Sequence, residues 1–466
     1  MLFSSITFLF YFIPIVILVY YMMPKRLRNG VLLFASLVFY AWGEPKYVLF
    51  MLFSITQGYV AGRLVERYRG RMGARIALAL SVVFSLGMLG YFKYADFFIS
   101  NFNTVTGLGI PLLRVTLPVG ISFYTFQIMS YVIDVYRADA KAQKNYVNLA
   151  TYISMFPQLI AGPIVRYTDL ERQLTERTYE MSAVAQGVRR FVLGLGKKIL
   201  IANVLGELVE INKATGENSV LFLWMYAIAC SLQIYYDFSG YSDMAVGLGL
   251  ILGFHFPENF NYPFIAGSIT EFWRRWHMSL GTWFRDYLYI PLGGNRVGTI
   301  HWMFNILIVW MATGFWHGAS WNFILWGLFF ALFLVLEKLF LLRYLKRSHV
   351  WKHIYVILLT VVSFVIFDSA ELSLAFGNIR ALFGGAELPL VTYETMYYLK
   401  SYAVILVIGL IGATPLPKYL VNRVWKTRAG EKWNCILEPV VLLAIVVMCT
   451  AFLIGGSFNP FLYFRF

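Results

Sequence analysis

The sequence predicts an all-α membrane protein, a polytopic bundle of about 11 or 12 transmembrane helices with further re-entrant or interfacial helices. Hydrophobic residues make up 59% of the 466 residues and charged residues only 14%. A soluble domain has roughly 25% charged residues, so these charges are too few to cover a water-facing surface. Aromatic residues reach 18%, which is typical of chains with Trp and Tyr at membrane interfaces.

Apolar runs recur along the whole chain. A helix needs about 20 mostly apolar residues to cross the hydrocarbon core. The first run has no small-residue cleavage motif after it, so we expect it to be retained as a span. No repeat or long linker is visible, which favours one membrane domain over residues 1–466, with its motifs at about 150–330. The candidate spans are 3–23, 29–43, 45–62, 74–92, 115–136, 187–211, 219–254, 302–316, 320–342, 351–369, 397–414 and 437–455.

The net charge of +15 is distributed in short basic clusters between the apolar runs. This distribution is typical of cytoplasmic loops and of contact with anionic lipid, and not of a nucleic-acid surface. Clusters at 25–28, 63–75 and 137–144 follow the first, third and fifth runs. These loops are therefore expected in the cytoplasm, with Met1 and, by the same count, Phe466 on the outer side.

The segment 156–163, FPQLIAGP, is apolar but contains two prolines and a glycine. It is too short for an ordinary span, and proline removes a backbone donor. We expect it to be re-entrant or buried against other helices.

Cys230, Cys435 and Cys449 show neither a C-x-x-C pair nor metal-ligand spacing. Cys230 and Cys449 lie in apolar runs, which predicts buried, inert thiols. The cysteines therefore predict no metal site.

Residues 271–289, EFWRRWHMSLGTWFRDYLY, form an amphipathic pattern. At 100° per residue, the aromatic side chains gather on one face and the charged side chains on the opposite face. This predicts one helix lying at the membrane surface. His277 falls at the edge of the apolar face, where it is either an ordinary interfacial histidine or directed into a polar cavity. The following PLGGN, 291–295, predicts a turn without the spacing of a phosphate-binding loop.

Residues 297–336 contain no Asp, Glu, Lys or Arg, a length sufficient for about two bilayer crossings. His317 lies at the middle of this run, between Gly314 and Gly318. The histidine is either wet and idle at an outer hairpin turn or a functional group inside the membrane. A titratable group in an apolar run is costly, and the surrounding glycines, tryptophans and hydroxyls favour the functional interpretation.

Asp237 and Asp243 lie within the apolar run 219–254. Buried carboxylates require partners or stay protonated. They either form a hydrogen-bond network with neighbouring Tyr and Ser hydroxyls or line a polar tunnel.

These motifs together resemble the membrane-bound O-acyltransferases, in particular the bacterial branch that includes the membrane subunit of alginate O-acetyltransferase. The resemblance covers essentially the whole chain, including the opening FSSITFLFYF and the closing FNPFLYFRF. It implies a helical bundle around a tunnel that crosses the membrane. The motifs are FPQLIAGPIVRY (156–167), YYDFSGYSDMAVGLG (235–249), NFNYPF (259–264), EFWRRWHMSLGTWFRDYLYIPLGGNR (271–296) and GFWHGASWN (314–322).

The resemblance also implies roles for individual residues. It places the essential histidine at His317 and a second polar catalytic residue at His277. Acetyl-CoA is the implied co-substrate, with no tightly bound cofactor. His317 would be the general base, and His277 would stabilise the oxyanion or orient the donor; an acetyl-histidine intermediate is an alternative. Expected donor or substrate contacts are Trp273, Arg274, Arg275, Arg285, Asn259, Asp237, Tyr241 and Trp316.

By analogy, the expected location is the bacterial cytoplasmic membrane, and the expected partner is an exported acetyltransferase of the SGNH type that modifies a polysaccharide. Alginate, cellulose, peptidoglycan and other glycans all remain open as final acceptors. A transporter or flippase for an envelope precursor is the main alternative, because polar groups at the midplane and broken helices suit transporters as well. A non-catalytic membrane scaffold is the third possibility.

Overall fold

The computed structural model describes residues 1–215 and 219–456, so Phe466 and the closing segment 458–466 lie outside the described residues. The described chain is predominantly helical and contains no strand, which confirms the all-α class. Contacts group it into two compact units. Unit 1 is Met1–Phe191 with Ser242–Pro257, and unit 2 comprises the described residues of Val192–Tyr241 and Glu258–Phe466. The prediction of one membrane domain stays a prediction.

Unit 1 is a bundle in which α3 packs against α4, α6 and α7. A methyl group at Gly62 of α3 would overlap the ring of Tyr131 of α6, so the missing side chain allows close approach. The helices are α1 (Ile13–Met22), α2 (Arg28–Ala41), α3 (Val48–Arg67), α4 (Met72–Leu89), α5 (Ala95–Thr106), α6 (Ile121–Arg137), α7 (Tyr146–Ser154), α8 (Phe156–Leu159), α9 (Tyr167–Leu170) and α10 (Met181–Gly196), which continues into unit 2.

The segment predicted to be re-entrant or buried is buried. It consists of the single turn α8 and a non-helical stretch that continues to Val165. The Phe156 N–H donates to the Ser36 hydroxyl at 3.1 Å, and the Tyr152 hydroxyl donates to the Val165 carbonyl at 2.9 Å. These bonds satisfy backbone groups that regular secondary structure does not pair.

Unit 2 has its core between α11, α12, α16 and α18. Cys230 is buried in this core, and Cys449 is buried in α22, as predicted for inert thiols. The helices are α11 (Asn203–Ala214), α12 (Val220–Ile251), which continues into unit 1, α13 (Ile269–Trp273), α14 (Met278–Phe284), α15 (Thr299–His317), α16 (Trp321–Leu336), α17 (Leu342–Leu345), α18 (Trp351–Asp368), α19 (Leu372–Leu382), α20 (Tyr393–Gly412), α21 (Leu416–Trp425) and α22 (Arg428–Ile454).

Several short 3₁₀ or π-helical segments interrupt or extend these helices. They are Phe8–Phe12, Pro45–Tyr47, Gly90–Tyr94, Lys197–Ala202, Pro263–Ile265, Arg285–Tyr289 and Glu337–Leu341.

Seven helices within the described residues are long and apolar enough to cross a membrane. The chain is therefore a multi-pass membrane protein. The apolar helices Phe8–Met22 and Arg28–Ala41 are shorter, and the predicted spans 115–136, 187–211 and 302–316 are largely helical but not among the seven. The seven are Pro45–Arg67, Met72–Thr106, Val220–Ile251, Trp321–Leu345, Trp351–Asp368, Tyr393–Gly412 and Cys435–Ile454.

The prediction of one continuous interfacial helix over 271–289 is wrong. Helix α13 ends at Trp273, and α14 begins only at Met278. His277 between them has φ 43° and ψ 52°, a left-handed conformation that no L-residue adopts within an α-helix. A helical wheel assumes constant rotation per residue, so it cannot place side chains on the two sides of this break.

Candidate active site

The hairpin of α15 and α16 positions His317. A Cβ atom at Gly314 would collide with the backbone carbonyl of Phe323, and one at Gly327 with that of Trp310. Two glycines thus let the two helices approach with their backbones in contact. His317 is the last residue of α15, and Gly318 continues as extended chain.

His317 is buried, with only 7% of its surface exposed. Its ring centroid lies 5.0 Å from that of Trp326 and 5.3 Å from that of Phe367, both edge-on. Asn322 donates from Nδ2 to the Phe367 and Ser369 carbonyls at 3.2 and 3.0 Å, which ties the start of α16 to the end of α18. The burial of His317 contradicts its interpretation as a wet residue.

The turn between α13 and α14 buries His277, which is 2% exposed. Backbone bonds from residues 259–261 hold this turn: Met278 N–H donates to the Asn259 carbonyl at 3.0 Å, and Asn261 N–H donates to the Arg275 carbonyl at 2.9 Å. A non-glycine residue with positive φ costs free energy and persists only where its surroundings enforce it. Here that strain places an imidazole in the interior of unit 2.

Asn259 fixes the tautomer of His277. Its Oδ1 atom accepts from the Ser279 N–H at 3.2 Å and the Ser279 hydroxyl at 2.9 Å, and lies 3.2 Å from Nδ1 of His277. Because a backbone N–H can only donate, the atom facing it is the amide oxygen, and Nδ1 must be protonated to bond to it. A neutral imidazole then has its lone pair on Nε2, which is buried without a hydrogen-bond partner among the described residues.

Burial lowers the pKa of His277 well below its usual value, and the neighbouring His317 lowers this pKa further. His277 lies in the turn outside the seven candidate spans. The imidazole is therefore neutral at ordinary pH, in the form that has an acceptor at Nε2.

The rings of the two histidines both contact the same indole. Trp316 lies 5.9 Å from His277 and 5.1 Å from His317, measured between ring centroids. The ring of Phe238 in α12 also packs against His277, with 4.6 Å between the ring centroids. The structure thus brings together His277, His317, Asn259 and Trp316, four residues that the sequence singled out.

Asp237, expected in a hydrogen-bond network or in the lining of a polar tunnel, has a basic partner. The Lys198 Nζ lies 2.6 Å from its carboxylate, and both side chains are at most 3% exposed. The next residue of α12, Phe238, contacts His277. Asp243 accepts from Arg190 at 2.9 Å within unit 1. Tyr241 is buried in α12.

Trp273 packs against α15 and α16, with its ring centroid 4.6 Å from Trp310 and 4.8 Å from Phe330.

The helix that carries Trp273, α13, is fixed by a residue that the sequence interpretation missed. The fully buried Glu337 accepts from the Ile269 N–H at 2.5 Å and from the Thr270 N–H at 2.9 Å. This carboxylate satisfies donors at the N-terminus of the helix, where negative charge is stabilising.

Three arginines, which were expected to contact acetyl-CoA or the substrate, differ in their surroundings. Arg275 pairs with Glu271 at 2.9 Å, and Arg285 pairs with Asp286 at 2.7 Å. Arg274 is exposed and has no carboxylate within ion-pair distance among the described residues. Of the three, Arg274 is the guanidinium most available to an incoming phosphate.

Comparison with known proteins finds a family of acyltransferases and relatives that are named as transferases or acetylases. The model of the MBOAT, membrane-bound O-acyltransferase family, matches residues 137–367, which include both histidines. The probable alginate O-acetylase AlgI of Azotobacter vinelandii is 38% identical over 100% of both chains. The peptidoglycan O-acetyltransferase of Helicobacter pylori is 35% identical over 70% of this chain and 68% of its own. The teichoic acid D-alanyltransferase of Bacillus subtilis is 31% identical over 47% of this chain and 59% of its own.

Proposed function

This chain belongs to the membrane-bound O-acyltransferase family, and from this premise we propose that it transfers acetyl groups from cytoplasmic acetyl-CoA across the membrane toward a polysaccharide hydroxyl. The observation that supports this most directly is the pair of buried imidazoles, His277 and His317, that both pack against Trp316. Two histidines in an apolar interior suit proton transfer during acyl transfer.

His317 acts as the general base. The acceptor hydroxyl gives its proton to the imidazole while its oxygen attacks the thioester carbonyl carbon. The tetrahedral intermediate then collapses, the carbon–sulfur bond breaks, and the thiolate of CoA leaves and takes up a proton. The products are an acetyl ester and CoA. A positioned base of this kind contributes roughly 10²–10⁴-fold to the rate.

His277 orients a reactant. With its proton on Nδ1, the neutral ring offers an acceptor at Nε2 and cannot donate to an oxyanion from that atom. The tautomer thus supports an orienting role over oxyanion stabilisation. A hydroxyl of the acceptor or an amide N–H of the CoA arm donates the hydrogen bond to Nε2. Asn259 acts through His277 as a positioning residue.

The donor enters from the cytoplasmic side, where Arg274 meets a phosphate of CoA. Its exposure, and the lack of a carboxylate partner among the described residues, support this assignment. Arg275 and Arg285 hold the local structure through their ion pairs.

The acceptor is a polysaccharide outside the cytoplasm of a bacterium, reached directly or through an exported acetyltransferase of the SGNH type. This rests on the relatives, whose names specify alginate in one case and peptidoglycan in another. We place the chain in the cytoplasmic membrane, since the donor is cytoplasmic.

A labelling experiment tests the proposal. Inside-out membrane vesicles containing the full-length chain receive acetyl-CoA labelled in the acetyl group, and label is followed into the lumenal fraction with and without added polysaccharide. Transfer that requires the chain and acetyl-CoA supports the proposal. Absence of transfer with acetyl-CoA, but transfer from another acyl donor, would contradict the donor assignment.

A further inference from the structure

Unit 1 contains a cluster of two arginines and four aromatic rings, none of which takes part in the histidine site. We call it the arginine–aromatic cluster. Its members are Tyr20, Tyr21, Arg28, Arg177, Tyr179 and Phe254.

The two guanidiniums lie on the same ring. The Cζ atom of Arg28 lies 5.2 Å from the ring centroid of Tyr20 and 4.5 Å from that of Tyr179. The Cζ atom of Arg177 lies 5.8 Å from the ring of Tyr20 and 4.5 Å from that of Phe254. Cation–π contacts at these distances are favourable, but they bring two like charges together.

Hydrogen bonds fix the rings. The Tyr20 hydroxyl donates to the Leu252 carbonyl at 2.6 Å, so the Tyr179 hydroxyl donates to the Tyr20 oxygen, 2.8 Å away. The Tyr21 hydroxyl donates to the Ile251 carbonyl at 2.5 Å. Since these bonds hold the aromatic walls in place, little ordering is needed when a ligand binds.

Within the described part of the chain, no carboxylate balances the two arginines. Among the residues that the structure describes, neither Arg28 nor Arg177 has one within ion-pair distance. Glu176, next to Arg177 in the chain, pairs with Arg172 at 3.2 Å instead.

Helix termini supply only part of the missing negative charge. Helix α1 ends at Met22, and Arg28 donates from Nε to the Met23 carbonyl at 3.2 Å. Helix α12 ends at Ile251, beside the tyrosine hydroxyls. Each C-terminus is equivalent to about −0.5 elementary charge, so together they offset about one of the two positive charges. A surplus of about +1 remains.

Arg177 also lacks a hydrogen-bond acceptor for one of its donor groups among the described residues. Its Nη2 group donates to Oδ1 of Asn29, but its Nη1 group is buried without a partner among the described residues. A buried charged donor without an acceptor is costly, which favours an acceptor that comes from outside the chain.

We propose that the arginine–aromatic cluster binds a phosphate group with one net negative charge, such as the phosphodiester of an anionic phospholipid. The guanidinium fork matches phosphate oxygens, and a single negative charge matches the surplus. The cluster lies where the apolar helix α1 ends, a position at which lipid headgroups occur. Free phosphate has the same chemistry. Phosphate binding at this cluster does not depend on the acyl-transfer reaction.

Lipid retention is the direct test. Full-length protein is reconstituted in nanodiscs containing phosphatidylcholine and phosphatidylglycerol in equal amounts, then extracted, and the retained lipid is identified by native mass spectrometry. We expect the wild type to retain phosphatidylglycerol, and Arg177→Gln to bind it about tenfold or more weakly, since a charge-assisted donor is lost. A second arm titrates inorganic phosphate into protein reconstituted in phosphatidylcholine alone.

Two variants control for folding. Arg172→Gln, in the same segment but exposed and paired with Glu176, should retain lipid as the wild type does. Arg177→Lys keeps the charge but loses the fork, and we expect an intermediate affinity. Loss of phosphate binding in Arg177→Gln without any preference for phosphatidylglycerol would support the same site with a soluble ligand. Equal binding of both probes by wild type and Arg177→Gln, or binding of neither by wild type, would overturn the proposal.

Discussion

The Oδ1 atom of Asn259 lies 3.2 Å from Nδ1 of His277, and this hydrogen bond determines which nitrogen of the buried ring is free to accept. Ser279 donates twice to the same oxygen and thereby fixes the orientation of the amide. Asn259 was expected to contact a substrate, and that stays a prediction. Its observed side-chain contacts are with His277 and Ser279, in and next to the strained turn.

Replacing Asn259 with Asp should change the pH dependence of the reaction. A carboxylate next to Nδ1 favours the imidazolium and raises the pKa of His277, which burial holds low in the wild type. The neutral ring is then present only above the raised pKa, so the acid limb of the rate profile should move to higher pH. Initial rates of labelled acetyl transfer across a pH series measure this.

Ser279→Ala serves as the comparison for Asn259→Asp, because it removes one donor to Asn259 and adds no charge. Its acid limb should stay near that of the wild type. An increase of the rate toward low pH in Asn259→Asp would show that His277 acts as a protonated donor, contrary to the orienting role.

The Lys198–Asp237 ion pair should matter for stability. Lys198→Met removes the basic partner of a buried carboxylate, which typically costs about 3–5 kcal/mol. Lys198→Met combined with Asp237→Leu replaces both charges with apolar groups and should recover most of the loss. Thermal unfolding midpoints in detergent measure both. If the single variant unfolds at the wild-type temperature, the pair has no structural role.

Gly314→Ala should destabilise the α15–α16 hairpin. The added Cβ would collide with the backbone of Phe323, which cannot move away as a flexible side chain can. Overpacking of this kind costs about 1–3 kcal/mol or more. Gly87→Ala in α4 is a suitable control, because its Cβ meets nothing within 4 Å, and alanine favours helix by about 1 kcal/mol. Equal unfolding midpoints for the two variants would contradict the close approach.

Arg274→Gln should raise the KM for acetyl-CoA about tenfold with little change in kcat, because it removes a contact to a part of the donor that does not react. Arg285→Gln should have a smaller effect, since Asp286 engages that guanidinium. Steady-state kinetics with purified protein compare the two. A larger rise in KM for Arg285→Gln would mean that the wrong arginine is assigned.

The sequence predicted the features that depend on composition and on local pattern. The run without charges at 297–336 predicted two helices that meet near His317. The burial of His317 agrees with the tryptophans that lie near it in the sequence. The break at His277 could not be derived in the same way. Periodicity describes a helix that continues, whereas the break is set by residues 259–261, which are distant in sequence.

Partners of buried charges were also missed, since pairing depends on tertiary contact. The two aspartates of α12 were noticed, but Lys198 and Arg190 were not assigned to them. A signal existed, because Lys198 lies within the apolar run 187–211 and a lysine there needs a counter-charge. Glu337 gave a similar signal as the first charge after the uncharged run.

In the proposed reaction, His317 is the base for acetyl transfer. The most direct test compares labelled transfer from acetyl-CoA by the wild type, His317→Ala and His301→Ala at matched protein level in vesicles. His301 lies on the same helix but is exposed, so its replacement should leave the rate unchanged. We predict a loss of about 10²–10⁴-fold for His317→Ala alone. Transfer at the wild-type rate by His317→Ala would remove this histidine from the chemistry and contradict the account.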